Sequence, residues 1–462
     1  MLWGHPLEAV YWLYDFADRW QVAKRSRAWL DQSRLRRFRR LVRYAQRHSP
    51  YYADLLKRHA IDPQTCTVAD FPVLTKQVVI EHFDEIVTDR RVRRADLERF
   101  VGQSSDPTHL YQDRYYVVHT SGSSGRVGYY VYNVREWIRG CSQQIRFLGG
   151  LSLRRRTAFV GATSGHFTGV SLALTGTRPI NRIFFDCRAF DLNCRTTDVI
   201  ASLNDFQPQV LTGYGTALYL LALEQDAGRL RIRPQKIVSS GEPLLSGSRP
   251  FIEQVFRAPL VNVYTCSEHL FMGASRPQRA GLQLLEDDLV YEFHDDHTCV
   301  TNLFNRTLPL IRYRMDDALR PMEGACGAGP FIVVQDVVGR CERPIVLLNN
   351  QQEEDFIHPL VMADLVAQYL LAFQLRIVSR SHFIVRVKLQ PGIDEKQREV
   401  AHREIEQYLS KILQSKQMDK AVRFRIEEVD HLPVDPRTGK FRLIDTQDTY
   451  ESLLPKRGAR AA

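Results

Sequence analysis

From Tyr115 onward, short β-branched or aromatic runs alternate with stretches of helical spacing. Thr157–Thr163, Arg182–Cys187, Gln209–Tyr214, Lys236–Ser240 and Leu260–Tyr264 have the length and composition of strands. Between them, Thr196–Phe206, Thr216–Ala227 and Gly247–Phe256 repeat apolar residues at the helical period. This alternation predicts α/β layers with mostly parallel sheets. The character changes around Gly339–Arg343. Beyond lie a long helical segment (Glu399–Gln414), a strand-like run (Ala421–Val429) and a turn (Asp435–Gly439). A small α+β domain over residues 343–462 fits there, behind a large domain over 1–341. The chain shows no internal repeat and no low-complexity segment.

Near the N-terminus, Leu35, Phe38, Leu41, Val42 and Ala45 recur at helical spacing. Eleven Lys/Arg lie between Arg19 and Arg47 against one acid, Asp31, so the polar side of that pattern is almost wholly cationic. The plain reading is an amphipathic helix whose outer face is solvated arginine. The sharper one is attraction of ATP, coenzyme A, an acidic carrier protein or a membrane surface. A formal charge of +10 leaves both open. Nucleic acid is not an expected partner, because zinc-finger spacing, an aromatic-glycine RNA signature and a basic tail are all missing.

With 44% hydrophobic and 25% charged residues, the composition is that of a soluble globular protein. No apolar run approaches the roughly 18–20 residues of a membrane span. The first residues lack the features of a signal peptide. Eight scattered cysteines without a Cys-x-x-Cys pair fit a reducing cytoplasm rather than a disulfide framework.

Chemistry concentrates in ordered segments. Val117-Val118-His119-Thr120-Ser121-Gly122-Ser123-Ser124-Gly125-Arg126 is a strand running into a small, hydroxylated, glycine-rich loop closed by a cation. Its N–H and O–H donors suit polyphosphate oxygens, and it is not a Walker loop. Ser239-Ser240-Gly241-Glu242-Pro243 sits at a strand end, and Tyr264-Thr265-Cys266-Ser267-Glu268 offers an aromatic face and a carboxylate. Pro309-Leu310-Ile311-Arg312-Tyr313-Arg314-Met315-Asp316-Asp317 follows, and Asp435-Pro436-Arg437-Thr438-Gly439-Lys440 presents a lysine on a tight turn.

In order and spacing these segments resemble the core motifs of the adenylate-forming superfamily: acyl-CoA synthetases, peptide-synthetase adenylation domains and luciferases. The branch most resembled is the phenylacetate–CoA ligase-like one with its capsule-biosynthesis homologues, to which Tyr44 and Ser49-Pro50-Tyr51-Tyr52 are also similar. The resemblance implies that Thr120, Ser121, Gly122, Ser123, Ser124, Gly125 and Arg126 hold the β- and γ-phosphates of ATP. It implies Gly241, Glu242 and Pro243 beside adenine and Tyr264 stacked on it. Glu268 would coordinate Mg²⁺, Asp317 the ribose hydroxyls, and Arg340 would also reach the nucleotide. Glu342 falls on the hinge of a mobile C-terminal domain, and Lys440 would contact the reacting carboxylate and α-phosphate. Ser240, His166 and Phe167 are candidates for the acyl site, with a packing role equally open to the His-Phe pair.

This chain departs from the pattern at Val127, at Asp316 before the ribose aspartate, and at Glu342-Arg343. Some homologues carry zinc on a Cys/His pair after the magnesium glutamate and a Cys-x-Cys after the ribose aspartate. Here Ala274–Gln283 holds neither Cys nor His and Cys326 stands alone, so no zinc is expected. A Gly-x-Ser-x-Gly elbow is lacking, and Thr212-Gly213-Tyr214-Gly215 is one glycine short of a dinucleotide fingerprint. The expected activity is ATP- and Mg²⁺-dependent adenylation of an aromatic carboxylic acid, then transfer to coenzyme A. Transfer to an amine, hydroxyl or carrier-protein thiol is the alternative, and a silent acyl- or nucleotide-binding protein is the rival of another class. A homodimer is compatible with all three.

Overall fold

The computed structural model describes residues 8–120, 127–148, 155–163, 165–175, 185–242, 244, 247–276, 280–322, 329–335, 345–363, 365–433 and 443–448. Its strands are β1 (Tyr115–His119), β2 (Tyr129–Asn133), β3 (Arg155–Gly161), β4 (Phe185–Asp191), β5 (Val210–Gly213), β6 (Lys236–Ser240), β7 (Leu260–Cys266), β8 (Leu270–Ser275), β9 (Leu282–Leu284), β10 (Leu289–Phe293), β11 (Thr298–Asn302), β12 (Tyr313–Met315) and β13 (Val333–Val334). Six more follow: β14 (Ile345–Leu348), β15 (Glu354–Ile357), β16 (Leu370–Ser379), β17 (His382–Leu389), β18 (Arg423–Glu428) and β19 (Ile444–Asp445).

The central sheet runs β13-β9-β8-β7-β6-β5-β3-β4. The β4-β3-β5-β6-β7 half is parallel, and β8, β9 and β13 extend it antiparallel. Helices Thr196–Phe206, Gly215–Asp226 and Ser248–Phe256 link the parallel strands, close to the expected bounds. Buried Leu203, Leu218, Leu221 and Ile252 from these helices meet Leu211 and Ile237 of the sheet in one apolar core. A second core joins the N-terminal helices to β1, β2 and the β10-β11-β12 sheet. A third lies under the β18-β17-β16-β19 sheet and helix Glu395–Ser415. The expected turn Asp435–Gly439 and the hinge at Glu342 lie outside the described residues.

The basic N-terminal run is where expectation and structure part. It folds as α1 (Glu8–Val22) and α2 (Arg27–His48), separated at Ser26, whose hydroxyl accepts from the Trp29 amide at 3.2 Å. Leu30, Phe38, Leu41, Val42 and Ala45 of α2 are buried as the periodicity requires. The arginines, however, are not all solvated. Fully buried Arg19 donates to Asp287 at 3.0 Å and also pairs with Asp288. Arg37 pairs with Asp288, while Arg27 and Arg34 both reach Glu286, at 2.9 and 2.8 Å. The acids Glu286-Asp287-Asp288 thus turn part of the cationic face inward.

Candidate active site

Parallel α/β sheets place functional loops at the carboxyl ends of their strands, and the sequence motifs converge there. In the β6–β7 register Ser240 lies opposite Val263, which sets Gly241 beside Tyr264. Gly241 has φ +85°, and a Cβ there would sit 2.9 Å from the Tyr214 ring, so only glycine fits. Glu242 is held by the Thr216 amide at 2.6 Å and faces His358 Nε2 at 3.6 Å. Burial pushes its carboxyl up, but His358 and the Thr216 donors outweigh that and leave it lowered.

One bond ties two distant motifs together. The Tyr264 hydroxyl donates to Asp317 Oδ2 at 2.7 Å across 53 positions of sequence. Asp317 follows β12, which pairs with β11. The Tyr52 hydroxyl steadies its approach, donating to the Pro309 carbonyl at 2.9 Å and accepting from the Ile311 amide at 3.3 Å.

Glu268 is buried, and its Oε1 accepts from the Tyr313 hydroxyl at 3.3 Å; Tyr313 in turn meets the Tyr130 hydroxyl at 3.1 Å. The preceding residue, Ser267, joins three elements. Its hydroxyl meets Thr168 at 2.7 Å and the His119 carbonyl at 3.3 Å, and its own carbonyl accepts from Tyr132 at 2.8 Å. Thr120 clasps both ends of the glycine-rich loop: its amide donates to the Gly128 carbonyl and its hydroxyl accepts from the Gly128 amide, each at 3.0 Å. Ser121 to Arg126, Pro243, Arg340, Glu342 and Lys440 lie outside the described residues.

An apolar cavity of about 80 Å³ opens beside these motifs. Ser240 and Thr265 line it together with Phe147, Phe159, Leu172 and Phe271. His166 and Phe167 are not among its lining residues. Phe167 packs against His119 (4.4 Å between ring centres) and leads into helix Thr168–Leu174, which supplies Leu172. His166 is buried against Phe100, neither ring nitrogen hydrogen-bonded, and burial pushes it down to about 4.

Sequence reading missed Lys76, which opens the helix Lys76–Glu81. Its Cε would lie 3.3 Å from a Cβ on Gly128, at the foot of the glycine-rich loop. Burial lowers its ammonium pKa, opposed by the charges of Glu268 and Asp316. A lone lysine 192 positions before Glu268 carries no local motif. His269 was missed too. It is fully buried behind Glu268, unbonded at both nitrogens, and burial pushes it down to about 3. The unfolded chain therefore binds a proton near pH 6.5 that the native state refuses until about pH 3. Stability from this group is complete above pH 6.5 and lost as pH falls. Urea unfolding should show about 1.4 kcal/mol per pH unit of extra slope between roughly pH 6 and 4, absent from His269→Gln. Parallel pH profiles for the two proteins would refute this.

Among the described residues, no helix is long and apolar enough to cross a membrane. No family model matches the chain. It is 22% identical over 313 residues to protein CapK of Staphylococcus aureus, covering 61% of each protein. It is 24% identical over 252 residues to a phenylacetate-coenzyme A ligase of Pseudomonas putida, covering 49% of this chain and 55% of that one. The chain thus spans less than two thirds of the length of these relatives. The solved structure of 2-hydroxyisobutyryl-CoA ligase with 2-HIB-AMP and CoA in the thioesterification state matches at TM-score 0.57 and 17% identity, over 92% of this chain and 91% of that one.

The fold is that of the acyl-CoA ligases. In sequence the chain is similar to these two relatives, a CapK protein and a phenylacetate-coenzyme A ligase.

Proposed function

We propose that this protein adenylates a carboxylic acid with ATP and passes the acyl group to coenzyme A. The observation that carries the reading is the Tyr264–Asp317 bond. It sets an aromatic face and a carboxylate side by side, near Gly241 in the β6–β7 register. Adenine would lie against Tyr264, the ribose hydroxyls on Asp317, and the phosphates over the loop that Thr120 closes. The apolar cavity next to Ser240 and Thr265 would take the acid's side chain, and its phenylalanines favour an aromatic ring.

The donor chemistry at Glu268 fits a hard cation: a buried carboxylate that accepts from the Tyr313 phenol, with oxygen as its ligand atom. When bound there, Mg²⁺ supplies charge neutralisation on the phosphates. Lys76, near Gly128, would add a cation close to Glu268. The substrate carboxylate is already ionised near pH 7, so no general base is needed.

Coenzyme A as acceptor rests on the likeness to thioester-forming relatives. The inward pairing of buried Arg19 and Arg34 removes these two residues from any basic entrance for it. A pyrophosphate-release screen over aromatic and aliphatic acids, with and without coenzyme A and candidate amines, tests both steps. Pyrophosphate with thioester is expected. Pyrophosphate with amide and no thioester would reassign the acceptor, and no pyrophosphate with any acid would remove the adenylation reading. In the same assay, Glu268→Gln should slow adenylation about a hundredfold, or 2.7 kcal/mol, and raise the Mg²⁺ concentration required. An unchanged Mg²⁺ titration would place the metal elsewhere.

A further inference from the structure

We propose that the turn joining β10 to β11 binds a divalent cation of the zinc class through His294, His297 and Cys299. The β10–β11 register pairs Glu292 with Cys299 and Phe293 with Thr298. Side chains alternate along strands, so His294, His297 and Cys299 project from one face of the hairpin. One ligand atom from each lies within 4.8 Å of the other two. The imidazoles stack in parallel, 4.3 Å apart and 9° from coplanar, and the turn is closed by the His294 amide on the His297 carbonyl at 3.0 Å.

Two further observations point to a ligand. His297 Nδ1 lies 2.6 Å from Asp296 Oδ1. In that arrangement the Nδ1–H donates to the carboxylate and Nε2 is left to the metal, the carboxylate–histidine–metal pattern of bound sites. His294 Nε2 is buried without a hydrogen-bond partner, and so is Glu292 Oε2 on the same face. Such orphans require an explanation, and a cation would satisfy His294 Nε2, while Glu292 stands outside the three-ligand group. Its other oxygen is paired with Arg312 Nε at 3.1 Å.

Two imidazoles and a thiolate select zinc over magnesium or calcium, so this site is chemically distinct from Glu268. With bond lengths of about 2.0–2.3 Å, tetrahedral donors stand roughly 3.3–3.8 Å apart, so the side chains need to close by about 1 Å. The location differs from the loops around 274–283 and 324–327, where the sequence gives no reason to expect zinc. Scanning for Cys-rich spacing passes over His-x-x-His-x-Cys. The bound ion would pin the β10–β11 edge, and through β11 the strand β12 that leads to Asp317.

The test uses full-length protein, stripped with chelator and titrated with Co²⁺ alone in excess Mg²⁺, which occupies hard-oxygen sites. One equivalent of tetrahedral Co²⁺ should bind, with a thiolate-to-cobalt charge-transfer band. Cys299→Ser should abolish the band. His297→Gln, a partly exposed position that spares the buried thiol, should weaken binding at least about tenfold. Zn²⁺ should displace the cobalt and raise the melting temperature in a concentration-dependent way. Wild-type protein without a thiolate band, a band surviving in Cys299→Ser, or unchanged affinity in His297→Gln would each overturn the site.

Discussion

Asp288→Ala is expected to lower the unfolding free energy by about 3–5 kcal/mol, because it strips a buried cationic cluster of its shared anion. The Asp288 carboxylate faces Arg19, Arg37 and Arg139, the last through Nε at 2.9 Å. Burial alone would push its carboxyl up; the charges of Arg139, Arg19 and Arg37 hold it well below the usual range instead. A depressed folded pKa means that this stabilisation is present above the ordinary carboxylate value near 4 and is lost as pH falls through and below it. Arg19, fully buried, would keep Asp287 as its anionic partner among the described residues, beside its bonds to Ser142 and the Arg139 carbonyl. Urea unfolding at pH 7 measures the loss, and Asp288→Asn, which keeps the shape and removes the charge, should suffer most of it. A change below about 1 kcal/mol would show that desolvation nearly cancels the attraction in this cluster.

That cluster also shows what the sequence conceals. The run of arginines is plain to read, and its apolar stripe places α2 well. Whether the opposite face meets water or acid depends on residues some 250 positions away, and no local pattern registers them. The parallel sheet was legible for the contrary reason. Central strands such as β5 and β6 are mostly buried and helix Thr196–Phe206 buries one stripe, so β-branched runs and 3.6-residue periodicity are forced locally. Lys236–Ser240 and Thr196–Phe206 fall at their expected bounds. Arg182–Cys187 is displaced toward Phe185–Asp191, whose pattern is weakly apolar at a sheet edge.

The candidate site divides in the same way. Gly241, Tyr264, Glu268 and Asp317 lie in compact motifs and could be named in advance. Glu242's partners Thr216 and His358, the bond from Tyr313 to Glu268 and the charge of Lys76 could not, because each depends on the fold. His166-Phe167 is a candidate for the acyl site only through the family resemblance; the pair is not part of the cavity lining, though the helix that follows it reaches the cavity through Leu172.

Lys440→Ala should slow adenylation by at least about a thousandfold, roughly 4 kcal/mol, while leaving thioester formation from preformed acyl-adenylate nearly unchanged. The expectation rests on the proposed function and on charge. A carboxylate attacking an α-phosphate brings two anions together, and a cation at that point stabilises the transition state more than the separated reactants. Lys440 lies outside the described residues, but both ends of its segment are fastened to the C-terminal sheet. The Pro433 carbonyl accepts from Gln374 Nε2 at 3.1 Å, and the Leu443 carbonyl accepts from the Leu375 amide at 2.9 Å. Gln374 and Leu375 are neighbours on β16, so one strand holds the described residues on either side of the segment that carries Lys440. A lysine carried on a separate unit can serve one half-reaction and be withdrawn for the next. Stopped-flow measurement of the two half-reactions, with circular dichroism to establish folding, separates the roles. Equal losses in both would show that Lys440 acts throughout the cycle, and no loss in adenylation would remove it from the chemistry.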